Sequence, residues 1–400
     1  MSHDTQRQTQ DTGSANWFGK MTEHCLDYAT SARARGAPVV AIMCEFAPRE
    51  LILAAGAVPV CLCGGSARTI PVAERHLPVN LCPLIKSTFG YHASGSNPFL
   101  QMADLVVAET TCDGKKKMFE LMSATKPMIV LELPHKAENQ DGLEHWTQEL
   151  RRFRVFLEDR FRVRITEEKV RDAIRLMNRE RGLRRALAEL MSVDTPPLTG
   201  RQLMDFRSII SGIETDLRQY EQALDAYRHS PVSRGPARAR VLLTGVPVVR
   251  GAERVVELIE AAGAIVVAME NCTGLKPVLE DVDADAPDPM VAIAKKYYHL
   301  PCSVLTPNLR RFASLEALVR KYAVECVIDL VWQACLTYDV ESAQARRLCE
   351  QKLGLPYLKI GTDYSPGDSA RISSRVEALV ETVRSRGRAV GSAVAVGCPP

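Results

Sequence analysis

One stretch of this chain occurs twice. ELILAAGAVPVCLCGG (50–65) and ELIEAAGAIVVAMENCTG (257–274) share a helix end, an AAGA corner and an apolar strand in the same phase. A helix that turns at glycine into a run of Val, Ile and Leu is half of a βαβ unit. The likeness extends further: LPCSVLTPN (300–308) answers NLCPLIKS (80–87), and VIDLVWQAC (327–335) answers LVVAETTC (105–112). Such a chain is expected to be α/β, with two similar open parallel-sheet (Rossmann-like) domains related by internal duplication and joined by a helical segment.

In chain order, strands are expected in APVVAIMC (37–44), VPVCLCGG (58–65), DLVVAETTC (104–112) and PMIVLELP (127–134), with helices between them. From about 142 to 229 the character changes to Arg, Glu, Leu and Ala at helical spacing, with Thr166 ahead of Glu167 and Glu168 as an N-cap. The run RQLMDFRSIISGIETDLRQYEQALDAY (201–227) is read as helical, and SPVSRGPAR (230–238) as a boundary. RVLLTGVPV (240–248) opens the second α/β unit and PYLKIGTDY (356–364) closes it. The expected divisions are a tail and helix at 1–32, a first α/β domain at 33–141, a helical layer at 142–236, a second α/β domain at 237–391 and a tail at 392–400. The small polar ending from Arg386 is expected to fray.

Composition narrows the function. A net charge of +3 spread among nearly equal acids and bases gives no ground for nucleic-acid binding. The start, MSHDTQRQTQDTGSANWFGK, lacks the apolar region of a signal peptide, and no apolar stretch is long enough to span a bilayer, so a cytoplasmic protein is expected. In a reducing compartment the twelve cysteines are thiols, metal ligands or redox groups rather than a disulfide framework.

Each half places three of them at loop positions outside strand ends: Cys44, Cys82 and Cys112 in the first half, Cys272, Cys302 and Cys335 in the second. Loops at the carboxyl ends of parallel strands converge on a crevice, so two halves facing each other would line one cleft with both sets. Cys112 also faces a helix start and Lys115, Lys116 and Lys117, a positive field that favours thiolate. Three thiolates per half suit a cubane iron–sulfur cluster with one iron left open. A closed zinc site wants four ligands and usually a local C-x-x-C pair, which is missing, and six unrelated core thiols are the remaining alternative.

The motifs AETTCDGKKKMFELM (108–122), ENCTGLK (270–276), LPCSVLTPN (300–308), QACLTYDVES (333–342) and the AAGA…LCGG element are similar to those of the 2-hydroxyacyl-CoA dehydratase and benzoyl-CoA reductase family. Within it the chain resembles the single-chain double-cubane cluster proteins, from about 37 to 383. The resemblance implies cubane ligands at Cys82, Cys112 and Cys335, with Cys44, Cys272 and Cys302 as the further ligands of a double-cubane [8Fe-9S] cluster. It implies a homodimeric reductase of a small-molecule substrate, fed low-potential electrons by a separate ATP-hydrolysing iron–sulfur activator. The alternatives are a subunit of an (R)-2-hydroxyacyl-CoA dehydratase or benzoyl-CoA reductase with one [4Fe-4S] cluster, and a non-enzymatic electron carrier. ATP would act on the partner, since the chain has neither G-x-x-x-x-G-K-[ST] nor G-x-G-x-x-G. Leu336 stands where many relatives have histidine, which removes a polar group beside the cluster.

Other residues carry less. Glu109 and Glu270, on strands beside cysteines, are candidate proton relays. Cys61 and Cys63 are assigned to packing, with at most one facing the cleft; Cys326, Cys349, Cys25 and Cys398 are assigned no site. Lys115–Lys117 are read as a solvated helix face or a docking point for phosphate or for the activator, His76, His92 and His299 as surface groups or proton donors near the cleft, and Asp363 and Asp368 as turn caps.

Overall fold

The computed structural model describes residues 13–229 and 238–395, with side chains to 386. The expected tail at 1–12, most of the boundary at 230–238 and the end of the chain at 396–400 lie outside the described residues. Each half forms a four-stranded, all-parallel sheet. The first holds β1 (Val39–Ile42), β2 (Val58–Cys61), β3 (Leu105–Glu109) and β4 (Met128–Leu131) in the order β2-β1-β3-β4. The second holds β5 (Ala239–Gly245), β6 (Ala264–Glu270), β7 (Cys326–Trp332) and β8 (Tyr357–Thr362) in the order β6-β5-β7-β8. The two orders are the same permutation, so the duplication seen in the sequence is a duplication of topology.

Every strand arises from one of the apolar runs named above, and alternate residues leave by opposite faces. Val40, Ile42, Leu105 and Val107 pack with Trp146, Leu150 and Phe153 of helix Gln140–Phe161, and with Met290, Ile293 and Tyr297 of helix Pro289–Tyr298. That second helix belongs to the other half, so the domains interlock through it. Leu242, Ile265, Val267 and Val327 pack against Leu187, Leu217, Tyr220 and Leu224 of the helical layer. The opposite faces, including Val39, Ala41, Val106, Val241, Leu243 and Ile328, belong to a core cluster shared by both halves.

Helix starts follow the side chains available. Thr166 accepts from the Lys169 N–H as expected, and Thr199 forms a capping box with Gln202. The stretch 201–227 is not one helix: Gly200–Asp205 and Glu214–Arg228 are separated by an extended segment. Gly212 there has φ +81°, and its N–H donates to the buried Glu180 at 2.8 Å. The segment lies along the edge of β2, where Ile209 O accepts from the Cys61 N–H at 2.7 Å. A sheet edge took the backbone hydrogen bonds that the helical pattern had promised to a helix. At the other end of the chain, helix Ser369–Ala395 carries part of the ending that was expected to fray.

The two halves touch where β2 exits. A Cβ on Gly65 would lie 2.5 Å from Val249 Cγ2 and 2.7 Å from Arg250 O, so only glycine admits that approach of one half to the other.

Candidate metal centre

The six candidate cysteines sit in the loops between elements. Cys44 and Cys272 follow the carboxyl ends of β1 and β6, and Cys112 and Cys335 follow β3 and β7. Cys82, Cys112 and Cys335 are also the residues immediately ahead of helices Pro83–Ser94, Asp113–Ser123 and Leu336–Arg347. A helix start offers unpaired N–H groups and the positive end of the helix dipole. Three thiols therefore meet three electropositive backbone ends. Cys302 lies on the loop after helix Pro289–Tyr298, with its N–H bonded to Leu300 O at 2.8 Å.

All six line one cavity of about 490 Å³ whose walls come from both halves. They fall into two neighbourhoods. Cys82 and Cys335 act most strongly on each other, with Cys112 the next thiol acting on Cys82. Cys272 and Cys302 act on Cys44 and on one another in the second group. Each trio draws on both domains.

The spacing bears on what such trios hold. Zinc–sulfur bonds of 2.3 Å place tetrahedral thiolates about 3.8 Å apart. Among the described residues, none of the six belongs to a group of three ligand atoms within 4.8 Å of one another. A cubane spreads its thiolates over separate irons, which suits wider spacing and an all-sulfur donor set. The residues present fit an iron–sulfur centre.

Electrostatics divides the thiols. Cys335 and the N–H groups of Ile85 and Leu84 pull Cys82 below the usual thiol range against the effect of burial. Cys335, the other member of that pair and also buried, is pushed up. Burial pushes up Cys44, opposed by Lys115, and Cys272, opposed by Lys276. These thiols give up their protons when a cation arrives. Lys115 is desolvated as well, but Cys44, Cys63, Cys112 and Glu109 around it hold its amine charged; its Nζ donates to Met43 O at 3.0 Å.

The model of the family described as 2-hydroxyglutaryl-CoA dehydratase, D-component, matches residues 44–383. The chain belongs to this family. It is 40% identical over 363 residues to the protein named "Putative dehydratase subunit YjiM" of Escherichia coli (strain K12), covering 87% of this chain and 92% of that one. The (R)-phenyllactyl-CoA dehydratase beta subunit of Clostridium sporogenes is 20% identical over 87% of this chain and 92% of its own. The (R)-2-hydroxyglutaryl-CoA dehydratase subunit beta of Acidaminococcus fermentans is 19% identical, over 92% and 98% respectively.

Against this family background several expectations change. Cys61 and Cys63 both line the cavity, because residues two apart in extended chain share a face. Cys61 accepts from the buried Arg49 guanidinium at 2.9 Å, and burial pushes its thiol up to about 11 despite that partner. Lys115 is turned inward, while Lys116 and Lys117 pair with Asp113 and Glu120 at the surface. Leu336 lines the cavity and is 71% exposed, with Thr337 and Tyr338 beside it on the same wall.

The two candidate proton relays stand behind the cavity wall in different states. Both carboxylate oxygens of Glu109 are buried without a hydrogen-bond partner, and burial pushes the acid up to about 8 against the pull of Lys115. Glu270 is tied to Lys276 at 3.1 Å, Arg311 at 3.3 Å and Thr244 Oγ1 at 2.5 Å. That network makes Glu270 a fixed counter-charge. Lys276 also donates to Tyr338 Oη at 2.7 Å, and Arg311 pairs with Glu341. Glu45 and Arg49, paired with each other at 2.9 Å, and Tyr338, held by the distant Lys276, stand on the cavity wall without having been singled out in the sequence. His76, His92 and His299 do not line this cavity. Asp363 accepts from the Ser365 N–H at 2.7 Å, as its turn assignment expects, whereas Asp368 pairs with the distant Arg254 at 2.8 Å.

Proposed function

We propose that this chain is an iron–sulfur reductase of the dehydratase family, with a double-cubane [8Fe-9S] cluster held by Cys82, Cys112 and Cys335 on one side and Cys44, Cys272 and Cys302 on the other. The observation that carries this reading is that all six thiols line one cavity built by both halves, where Cys335 and Cys112 act on Cys82, and Cys272 and Cys302 act on Cys44. When bound, such a cluster supplies single electrons at low potential. The protein supplies the surroundings: three helix starts and the charged Lys115 and Lys276 lower the cost of placing thiolates in a buried wall. Glu109, held protonated by burial, is the group with a proton to give beside that wall. The apolar side chains Leu81, Ile85, Val246, Val249 and Leu336 limit water in the cavity. Electrons reach the site from an ATP-hydrolysing iron–sulfur activator, the chain works as a homodimer, and its substrate is a small molecule.

The experiment is to mix the anaerobic protein with an activator of this family, reductant and ATP, and to follow the cluster by EPR. A reduced-state signal that requires ATP supports the reductase; a signal that ATP does not affect contradicts it. A second reading is favoured by the names of the relatives: a beta-type subunit of a CoA-thioester dehydratase with one [4Fe-4S] cluster on Cys82, Cys112 and Cys335. It requires a non-identical subunit for turnover and leaves the second trio without iron.

A further inference from the structure

Apart from the six thiols, several buried polar atoms without partners come together where the N-terminal helices meet the helical layer, beside the part of the cavity wall formed by Met21 and Ser208. His24 and Cys25 lie on helix Met21–Ala34, and Asp216 lies in the first turn of helix Glu214–Arg228. One ring nitrogen of His24, Cys25 Sγ and one Asp216 oxygen all lie within 4.8 Å of one another. Both ring nitrogens of His24 and Asp216 Oδ2 are buried without a hydrogen-bond partner, and so is the hydroxyl of Tyr220. Asp216 and Cys25 are both among the groups acting on that Tyr220 hydroxyl. Buried polar atoms without partners are uncommon, and several in one place point to a ligand among them.

The cluster is built to hold a positive charge: His24 and Asp216 stand at ion-pair distance, and although burial works the other way, Asp216 and Cys25 push the imidazole up to about 9. The same distances suit a metal ion. His24 Nε2 stands 3.2 Å from Asp216 Oδ1, yet the two are not aligned for a hydrogen bond. Zinc bonds of 2.0–2.1 Å to nitrogen and oxygen put two ligands of a tetrahedron about 3.3 Å apart. The orienting shell is also present. Trp17 Nε1 donates to Asp216 Oδ1 at 2.8 Å, and its ring stacks on the His24 imidazole at 4.5 Å, so the carboxylate and the imidazole are both held in place. Ser208 Oγ, 3.3 Å from Cys25 Sγ, stands beside the trio where it or a water completes four ligands.

We propose that His24, Cys25 and Asp216 bind a divalent transition-metal ion, zinc by their mixed nitrogen, sulfur and oxygen donors, and that this ion fastens the N-terminal helices to the helical layer. The site is separate from the six-thiol trios and does not depend on what they hold.

The test is zinc per chain, measured beside iron by inductively coupled plasma mass spectrometry on the full-length protein purified anaerobically with its clusters. The expected result is about one zinc per chain, lost roughly tenfold in Asp216→Asn and Cys25→Ser with iron unchanged. His24→Cys, which keeps a zinc ligand, retains the metal. Zinc K-edge absorption on the unaltered protein needs no variant to fold, and is expected to show one sulfur with nitrogen and oxygen neighbours. Less than about a tenth of a zinc per chain, zinc unchanged in both ligand variants, or an all-sulfur shell would each overturn the proposal.

Discussion

Single side chains decide what the cavity can hold. Cys272 belongs to the trio that only the double cubane needs, and Lys276 is the group that most opposes the effect of burial on its thiol. Cys272→Ser is expected to lose about half of the bound iron while Cys82, Cys112 and Cys335 keep theirs. Unchanged iron would mean that the second trio holds none. A different residue governs pH dependence. Lys296 is 6% exposed, donates only to Pro277 O at 2.9 Å, and burial pushes its amine down to about 7. The unfolded chain binds more protons than the folded one between about pH 7 and the ordinary lysine value near 10.4. Its cost to stability is thus full below pH 7 and fades as pH rises through that window. Lys296→Met is expected to raise stability at pH 6 by on the order of 3 kcal/mol and to gain little at pH 10. Equal gains at both pH values in thermal melts would contradict the assignment.

At the scale of elements, a buried charge pair fastens three parts of the chain. Glu50 on helix Arg49–Ala54 is fully buried, pairs with Arg181 of helix Glu167–Glu189, and accepts from Tyr297 Oη of helix Pro289–Tyr298 at 2.7 Å. These helices come from the first half, the helical layer and the second half. Arg181 holds the Glu50 carboxyl below its ordinary range although burial works the other way. Glu50→Ala leaves a buried guanidinium unpaired and is expected to cost about 3–5 kcal/mol, whereas Glu50→Leu combined with Arg181→Met costs much less. Equal losses for the single and double variants, measured by denaturant unfolding, would show that the pair is not what holds these helices. The strap was hidden in the sequence. Its members are separated by more than a hundred residues, and each alone looks like one of many charges on a helical face.

Across the whole molecule, the order of strands and the duplication were legible because they rest on local apolar runs and on a repeated AAGA corner. The same holds for four of the six cysteines, Cys82 with Cys302 and Cys112 with Cys335, which mark equivalent loop positions in the two halves, whereas Cys44 follows β1 and Cys272 follows β6. The grouping of those thiols across the halves came from the family resemblance and not from local pattern, since it depends on how one domain docks on the other at Gly65 and through helix Pro289–Tyr298. Nor was the break at 206–213, where pairing with β2 outweighed helical spacing. Membership in the dehydratase family and the parallel α/β architecture stand on the match at 44–383 and on the two sheets. No helix among the described residues is long and apolar enough to cross a membrane. The central claim is that the domains together enclose two cubanes, and iron with acid-labile sulfide per chain on anaerobically purified protein tests it most directly. About eight irons per chain is the predicted result; about four, with the Cys272→Ser variant unchanged, would contradict it and leave a single-cluster dehydratase subunit.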